Sequence, residues 1–310
     1  MKILVTGGAG FIGSHVVDAY LSLGHQVVVV DNLVTGQREN VPSQAALYEV
    51  DIRNSKELER VFAAEHPQVV SHHAAQKSVV QSMQNPLFDL QVNGVGFLNV
   101  LRSCHKYGVK KFIFASSGGA LAGDSEEVPT SETSTPKLTS PYALTKYMAE
   151  RYLEFFSATY GLSYTVLRYA NVYGPRQDAD SEGGVIAIFL KNLLQNRRST
   201  IFTYPDMPDG MLRDYVFVGD VCRANVRALD NVVQGTFHIG GGQEITTKDL
   251  YSLIEQVCGI YQPLRFAGPR PGEVRRSWLD LSLTKSRLNW EPTTSLEEGI
   301  RKTRDFFQKI

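Results

Sequence analysis

Tyr142 and Lys146 stand four residues apart and could do acid–base chemistry. In a helix that spacing sets both side chains on one face. An ammonium beside a phenol favours the phenolate, lowering the tyrosine pKa toward a range where it can take and return a proton. Alone, Tyr-x-x-x-Lys also fits a solvated helix face. A second stretch, Gly7-Gly8-Ala9-Gly10-Phe11-Ile12-Gly13, could bind an anion. Glycines let backbone N–H groups come close to a pyrophosphate at a helix N-terminus, where the dipole favours negative charge. Asp31 follows roughly 20 residues later, where a carboxylate meets a ribose 2′-hydroxyl and favours NAD over NADP; a plain loop cap is the other reading of it.

The elements that must position these groups follow from the apolar pattern. Ile3-Leu4-Val5 precedes the glycines and a helix-like run, Ser14 to Leu21, follows them, giving the strand–turn–helix order of a dinucleotide-binding unit. Val27 to Val30 is all apolar, as in a parallel strand covered on both faces. Further strands are expected at Tyr48–Ile52, Gln68–His73, Lys111–Ala115 and Tyr164–Tyr169, and helices at Gln91–Tyr107 and Tyr142–Tyr160. Ala74-Ala75-Gln76 gives the fourth strand a small-residue exit, suited to close passage of a cofactor. This alternation predicts an α/β fold with a Rossmann-type doubly wound parallel sheet. Val216–Val218 and Thr236–Ile239 read as strands returning to it, and a smaller mixed α/β C-terminal domain completes the chain. The expected division is a dinucleotide-binding domain of 1–173 plus about 215–240, and a second domain of about 174–214 and 241–310.

Composition narrows the partners. Lys plus Arg and Asp plus Glu number 32 each, so the net charge is zero and nucleic acid or an anionic membrane is not the expected partner. The 3 cysteines, Cys104, Cys222 and Cys258, lack a CxxC spacing and read as thiols of a reducing compartment. No apolar run reaches membrane-spanning length and the chain opens on a core strand, so a cytoplasmic protein without a metal is expected. His72 and His73 read as strand-end packing or hydrogen-bonded histidines, since they lack metal-ligand spacing.

With Thr6–Gly13, Asp31-Asn32-Leu33, Ala74-Ala75-Gln76, Ser116–Ala120, Ser140–Lys146, Leu167–Arg176 and Arg213–Val216, essentially the whole chain resembles the extended short-chain dehydrogenase/reductase family. Within it the chain is most similar to the NAD-dependent epimerases and dehydratases, bacterial UDP-glucose 4-epimerases above all. The resemblance implies that Gly7, Gly10, Phe11, Ile12 and Gly13 hold the NAD phosphates. It places Asp31, Asn32, Thr35 and Gly36 at the adenosine ribose, Asp51 and Ile52 at adenine, and Ala74, Ala75, Gln76 and Asn93 on the nicotinamide side. Lys146 would bond the nicotinamide ribose and support Tyr142. Asn171, Arg213 and Arg270 would meet the UDP phosphates, which the bidentate fit of guanidinium to phosphate favours independently, and Phe202 would pack on uracil. Without that context each arginine reads as a surface ion pair.

The implied reaction inverts C4 of a UDP-hexose. Tyr142 takes the 4-hydroxyl proton, NAD takes the hydride, and a transient 4-keto sugar turns over before both are returned. A hydroxyl beside Tyr142 would relay the proton or stabilise the oxyanion. Ser117 is the expected group, with Ser116 behind it; strand-end capping is the other reading of both. Many relatives carry a third hydroxyl residue where this chain has Gly118, and a Tyr where it has Ala122; His238 replaces a common Asn. Ser277 stands where relatives gate the sugar 2-substituent, and its small size leaves room for an N-acetyl group, so UDP-GlcNAc/UDP-GalNAc are candidate substrates. Uronate chemistry is an alternative through Arg176, Arg213, Arg275 and Arg276, as is another sugar-nucleotide dehydratase. A dehydratase lacks its acidic pair, because Gly118 and Gly119 occupy those positions. A non-catalytic NAD-binding sensor is disfavoured because both Tyr142 and Lys146 are kept. Relatives dimerise through helices corresponding to about 91–107 and 142–160, which implies a homodimer.

Overall fold

The computed structural model describes residues 1–180, 184–269 and 274–309. The chain lays down β1 (Lys2–Thr6), β2 (Gln26–Asp31), β3 (Ala46–Glu49), β4 (Val69–His72), β5 (Lys111–Ser117) and β6 (Ser163–Tyr169). It then passes through β7 (Asn171–Tyr173), β8 (Thr200–Phe202) and β9 (Leu212–Phe217) before β10 (Gly235–Ile239). Three short strands, β11 (Glu244–Thr246), β12 (Arg265–Ala267) and β13 (Arg276–Ser277), follow.

Seven strands form the main sheet in the order β10-β6-β5-β4-β1-β2-β3, and every pairing in it is parallel. Direction of winding reverses between β1 and β4, and the crevice beyond the carboxyl ends of strands at such a point is where ligands bind in open α/β sheets. The all-apolar strands are explained by cover on both faces. One core cluster (Ile3, Val5, Val27, Val29, Ile113, Leu167) lies under the helices Phe11–Ser22 and Val218–Arg227. The other (Leu4, Val28, Val30, Val70, Phe112, Val166) lies under Ser55–Glu65, Phe97–Lys106 and Pro141–Tyr160. Alternate residues of one strand thus serve opposite faces.

The expectation for Val216–Val218 needs correction. Those residues do not join the main sheet: β9 ends at Phe217 and pairs with β7, β11 and β13, and Val218 opens a helix. Asp220, buried in that helix, accepts from the backbone N–H of Thr294 at 3.1 Å, fixing the start of the C-terminal helix Leu296–Phe307 against it. β10, by contrast, does return beside β6. A third core cluster, including Phe189, Ile201, Leu250 and Ile300, packs the C-terminal region. Among the described residues no helix is long and apolar enough to cross a membrane.

Candidate active site

The glycine turn is built for an anion. Gly7 has φ +69°, and a Cβ there would lie 2.6 Å from the backbone N of Ala74, so any side chain would push the β1 and β4 exits apart. A Cβ on Gly13 would collide with the Gly7 carbonyl. The helix Phe11–Ser22 starts at Gly10 with no side-chain cap, leaving its first N–H groups facing the crevice for a ligand. A pyrophosphate fits this cradle on its own geometry. Asp31 accepts from the N–H of Ala9 at 3.0 Å and of Leu33 at 2.9 Å, so it does brace the loop, and a Cβ on Gly36 would lie 2.8 Å from its Oδ1. Thr35 is exposed on the same loop. The Asn32 amide donates to Asp51 at 2.9 Å. Arg53 grips the same carboxylate at 2.7 Å, and its hydrogen bonds hold Asp51 down to about 2. Beside Asp51 and the buried Ile52 opens a cavity of about 460 Å³ lined by Asp51, Arg53, Asn54, Gln91 and Val95.

Past β4 the chain turns inward at Ala74 and Ala75. Thr6 Oγ1 accepts from the Ala74 N–H at 3.3 Å. Gln76 and Asn93 clasp each other: the Gln76 N–H donates to Asn93 Oδ1 and the Asn93 amide donates to the Gln76 carbonyl, both at 2.9 Å. Asn93 sits in a π-helical segment, Leu90–Gly96, a widened turn that often marks a functional site. His72 stacks among Phe97, Phe112 and Phe114 and bonds Thr6 Oγ1 at 2.8 Å, while His73 bonds Ser71 at 2.9 Å. Burial pushes both imidazoles down, His73 to about 3, so both stay neutral.

Tyr142 and Lys146 are one turn apart on the helix Pro141–Tyr160, whose N-cap is Ser140. Lys146 donates to the Ala115 carbonyl at 2.9 Å, and its Nζ lies 5.8 Å from the Tyr142 ring centre. Burial lowers Lys146 to about 8, opposed by the charges of Asp89 and Glu150. The phenol differs from the expectation of a lowered pKa: burial raises it to about 12, against a hydrogen bond from Ser117 that lowers it. Desolvation of the phenolate is the largest influence, and the Asp89 charge adds to it.

The two serines end β5 on opposite faces. Ser116 donates to Glu150 at 2.6 Å, and Glu150 is gripped by both arms of Arg168, all three being buried. Ser117 meets Tyr142 and caps the short helix Gly118–Ala122, accepting from the Ala120 N–H at 3.4 Å. Gly118 has a packing cause: a Cβ there would collide with Leu279, so no third hydroxyl residue fits while Leu279 holds that space. Ala122 is buried in the same short helix. His238 is committed to structure, its backbone N–H donating to Glu132 at 3.0 Å.

On the substrate side β9 gathers the remaining residues. Arg213 and Ser277 are register partners across β9 and β13, and Asn171 donates to the Asp214 carbonyl at 2.9 Å. Ser277 Oγ lies 3.1 Å from where a Gly119 Cβ would be, which carries this group to the Ser117 end of β5. Phe202 stands apart on β8, paired with Ala267, and Arg270 lies outside the described residues. Arg176, Arg275 and Arg276 already hold carboxylates: Asp18 at 2.8 Å, Asp206 at 2.5 Å and Glu244 at 2.6 Å. Among the described residues no cluster of three or more His, Cys, Asp or Glu could hold a metal.

Sequence reasoning missed Asp89, Thr145, Glu150 and Leu279. Asp89 had one legible signal, its placement four residues before Asn93 on a helix face; the others are defined by partners distant in sequence.

Residues 3–240 match the model of the NAD dependent epimerase/dehydratase family. The chain is 41% identical over 315 residues to a UDP-glucose 4-epimerase of Mycolicibacterium smegmatis, covering 99% of each. The crystal structure of UDP-glucose 4-epimerase with UDP-glucose from Thermotoga maritima superposes with a TM-score of 0.96 at 47% identity, covering 100% of this chain and 99% of that one. The Thermus thermophilus UDP-glucose 4-epimerase complex with NAD gives 0.95 at 43% identity, covering 99% of both.

Proposed function

The chain belongs to the NAD dependent epimerase/dehydratase family, and on that premise we propose how its residues work as an NAD-dependent UDP-glucose 4-epimerase, an isomerase acting at C4 of the UDP-sugar. The observation that carries the assignment is the placing of Tyr142 and Lys146 one turn apart on one helix, with Lys146 bonded to the Ala115 carbonyl near the end of β5. Tyr142 takes the proton of the sugar 4-hydroxyl and returns it after the other face of C4 has been presented. Ser117, whose hydroxyl favours the Tyr142 phenolate, hands the proton across and stabilises charge on the sugar oxygen. Lys146, held by the Ala115 carbonyl, keeps an ammonium in a buried site where the phenol alone sits near 12. NAD, when bound, supplies the reversible redox chemistry at C4 and, oxidised, a further positive charge.

For the cofactor, the Phe11 and Ile12 N–H groups, with Gly7, Gly10 and Gly13 beneath them, take the pyrophosphate. Asp31, Asn32, Thr35 and Gly36 take the adenosine ribose, Asp51 and Ile52 adenine, and Ala74, Ala75, Gln76 and Asn93 the nicotinamide side. Asn171, Phe202, Arg213 and Arg270 take the UDP moiety. The sugar 2-position faces Ser277, whose small side chain supports acceptance of N-acetylated substrates too. A uronate is less well served, because Arg176, Arg275 and Arg276 already hold carboxylates. The proposal includes the division of the chain into an NAD-binding domain (1–173 plus about 215–240) and a sugar-nucleotide domain (about 174–214 and 241–310).

We also read the protein as a cytoplasmic homodimer. Leu144 and Phe155 are both about half exposed, at 53% and 52%, and lie about three turns apart on one face of the helix Pro141–Tyr160. Leu87 and Leu90, 63% and 43% exposed, extend that face from the segment packed beside it. Such a patch suits a second copy. Three free cysteines, two of them buried, accord with a reducing compartment.

The deciding experiment supplies UDP-galactose to the purified protein without added NAD, beside Tyr142→Phe. UDP-glucose formation that vanishes in the variant supports the assignment. No conversion by a protein that still carries NAD would overturn it.

A further inference from the structure

Asp89 is 0% exposed, in the short helix Pro86–Asp89. Both of its oxygens are used. Oδ1 accepts from the Gln76 side-chain amide at 2.8 Å and from the Asn93 amide at 3.0 Å. Oδ2 accepts from the Thr145 hydroxyl at 2.6 Å. Thr145 itself is buried and lies immediately before Lys146 on the helix that also carries Tyr142. No cation among the described residues forms an ion pair with Asp89, so its side chain is buried against three neutral donors. That arrangement is expensive unless the charge is used, since an apolar residue would fill the space without the desolvation cost.

We propose that Asp89 is a positioning residue of the reaction, its buried carboxylate locking the Gln76–Asn93 clasp to Thr145 so that the nicotinamide side and the Tyr142–Lys146 helix are held in one frame. The inference rests on the NAD-dependent reading above. Three bonds from one rigid group add polar ties among elements that already pack together: the β4 exit, the π-helical turn and the helix that carries Tyr142 and Lys146. A side chain misplaced by about 1 Å here would cost roughly 10²-fold in rate.

The charge has a second consequence. Lys146 is faced by Asp89 from the helix Pro86–Asp89, by Glu150 on its own helix, by neutral His72 and His73 at the β4 exit, and by Tyr142; Arg168 on β6 is spent on Glu150. Asp89 and Glu150 are the groups opposing its loss of charge on burial, and Asp89 also disfavours the Tyr142 phenolate. Removing the Asp89 charge therefore lowers both pKa values together.

The test uses Asp89→Asn, which keeps the shape and can keep the hydrogen bonds because the Thr145 hydroxyl can turn to accept, and Asp89→Ala, which removes them. Two quantities are read: the Kd of NAD on stripped protein, by fluorescence, and the kcat–pH profile with UDP-galactose. Asp89→Asn should bind NAD within about twofold of wild type while its whole profile moves to lower pH by about one unit. Asp89→Ala should bind NAD about tenfold more weakly and lose about 10²-fold in kcat. An unmoved profile in Asp89→Asn, or wild-type NAD affinity in Asp89→Ala, overturns the proposal. If neither variant folds, Thr145→Val reads the same tie from the helix side. It should lower kcat about tenfold with the NAD Kd unchanged, and unchanged kcat overturns the tie. A wild-type protein inert toward UDP-galactose would refute the epimerase reading, while the NAD arm would still judge Asp89.

Discussion

Alanine at each of the two adjacent serines ending β5 should separate folding from catalysis. Ser116 Oγ lies 2.6 Å from Glu150, and the two residues are only 4% and 1% exposed. A buried hydrogen bond to a charged acceptor is worth about 2 kcal/mol, and Arg168 continues to satisfy the carboxylate from its other side. With about 2.1 cal/mol/K of unfolding entropy for each of 310 residues, or about 0.65 kcal/mol/K in all, Ser116→Ala should melt about 3 °C lower. Its kcat should stay within about twofold of wild type, because nothing it touches faces the sugar. Ser117 makes a weak backbone contact, 3.4 Å from the Ala120 N–H, so Ser117→Ala should leave the melting temperature within about 1 °C. It removes a hydroxyl from Tyr142 and should lower kcat by about 10²-fold. The assays are steady-state conversion of UDP-galactose and thermal melts at one fixed NAD concentration, since bound ligand shifts the melt. A Ser116→Ala protein that melts normally but is inactive would refute the assignment of faces. So would a fully active Ser117→Ala.

Ser277→Tyr should abolish turnover of UDP-GlcNAc while sparing UDP-galactose; retention of full N-acetyl turnover would remove Ser277 as the gate. Asp214 is buried and its pKa is raised to about 7 by desolvation. The folded state therefore binds the extra proton, and stability falls by up to about 4 kcal/mol as pH rises from about 4, the unfolded value, through 7. Urea unfolding at pH 5 and pH 8 should show Asp214→Asn gaining on wild type at the higher pH, and a pH-independent difference would contradict this. Wild type should sediment as a dimer and Leu144→Glu combined with Phe155→Glu as a monomer; a variant that remains dimeric would move the interface elsewhere.

Periodicity and glycine spacing were enough to read the parallel sheet, the turn at Gly7–Gly13 and the placing of Tyr142 and Lys146 on one helix, because each depends on residues close in sequence. A short β-branched run such as Val27–Val30 suits a strand covered on both faces, and Tyr142 and Lys146 share a helix face wherever that helix docks. The pairing of Val216 and Phe217 was not legible: a short apolar run says strand without saying which sheet, and β9 found its partners in β7, β11 and β13. The direction of the Tyr142 shift was also hidden, because burial, its largest cause, is a property of the packed molecule. The faces of Ser116 and Ser117 were decided by strand alternation together with Glu150 and Arg168, contributed by another helix and another strand. Gly118 reads from sequence as a missing hydroxyl, and only the approach of Leu279 explains it. Asp89 shows the boundary most clearly. Local sequence sets the chemistry each residue carries and brings Asn93 to Asp89 along one helical run, but Gln76 and Thr145, which complete the hub, arrive from segments brought together only when the sheet and its helices close over them.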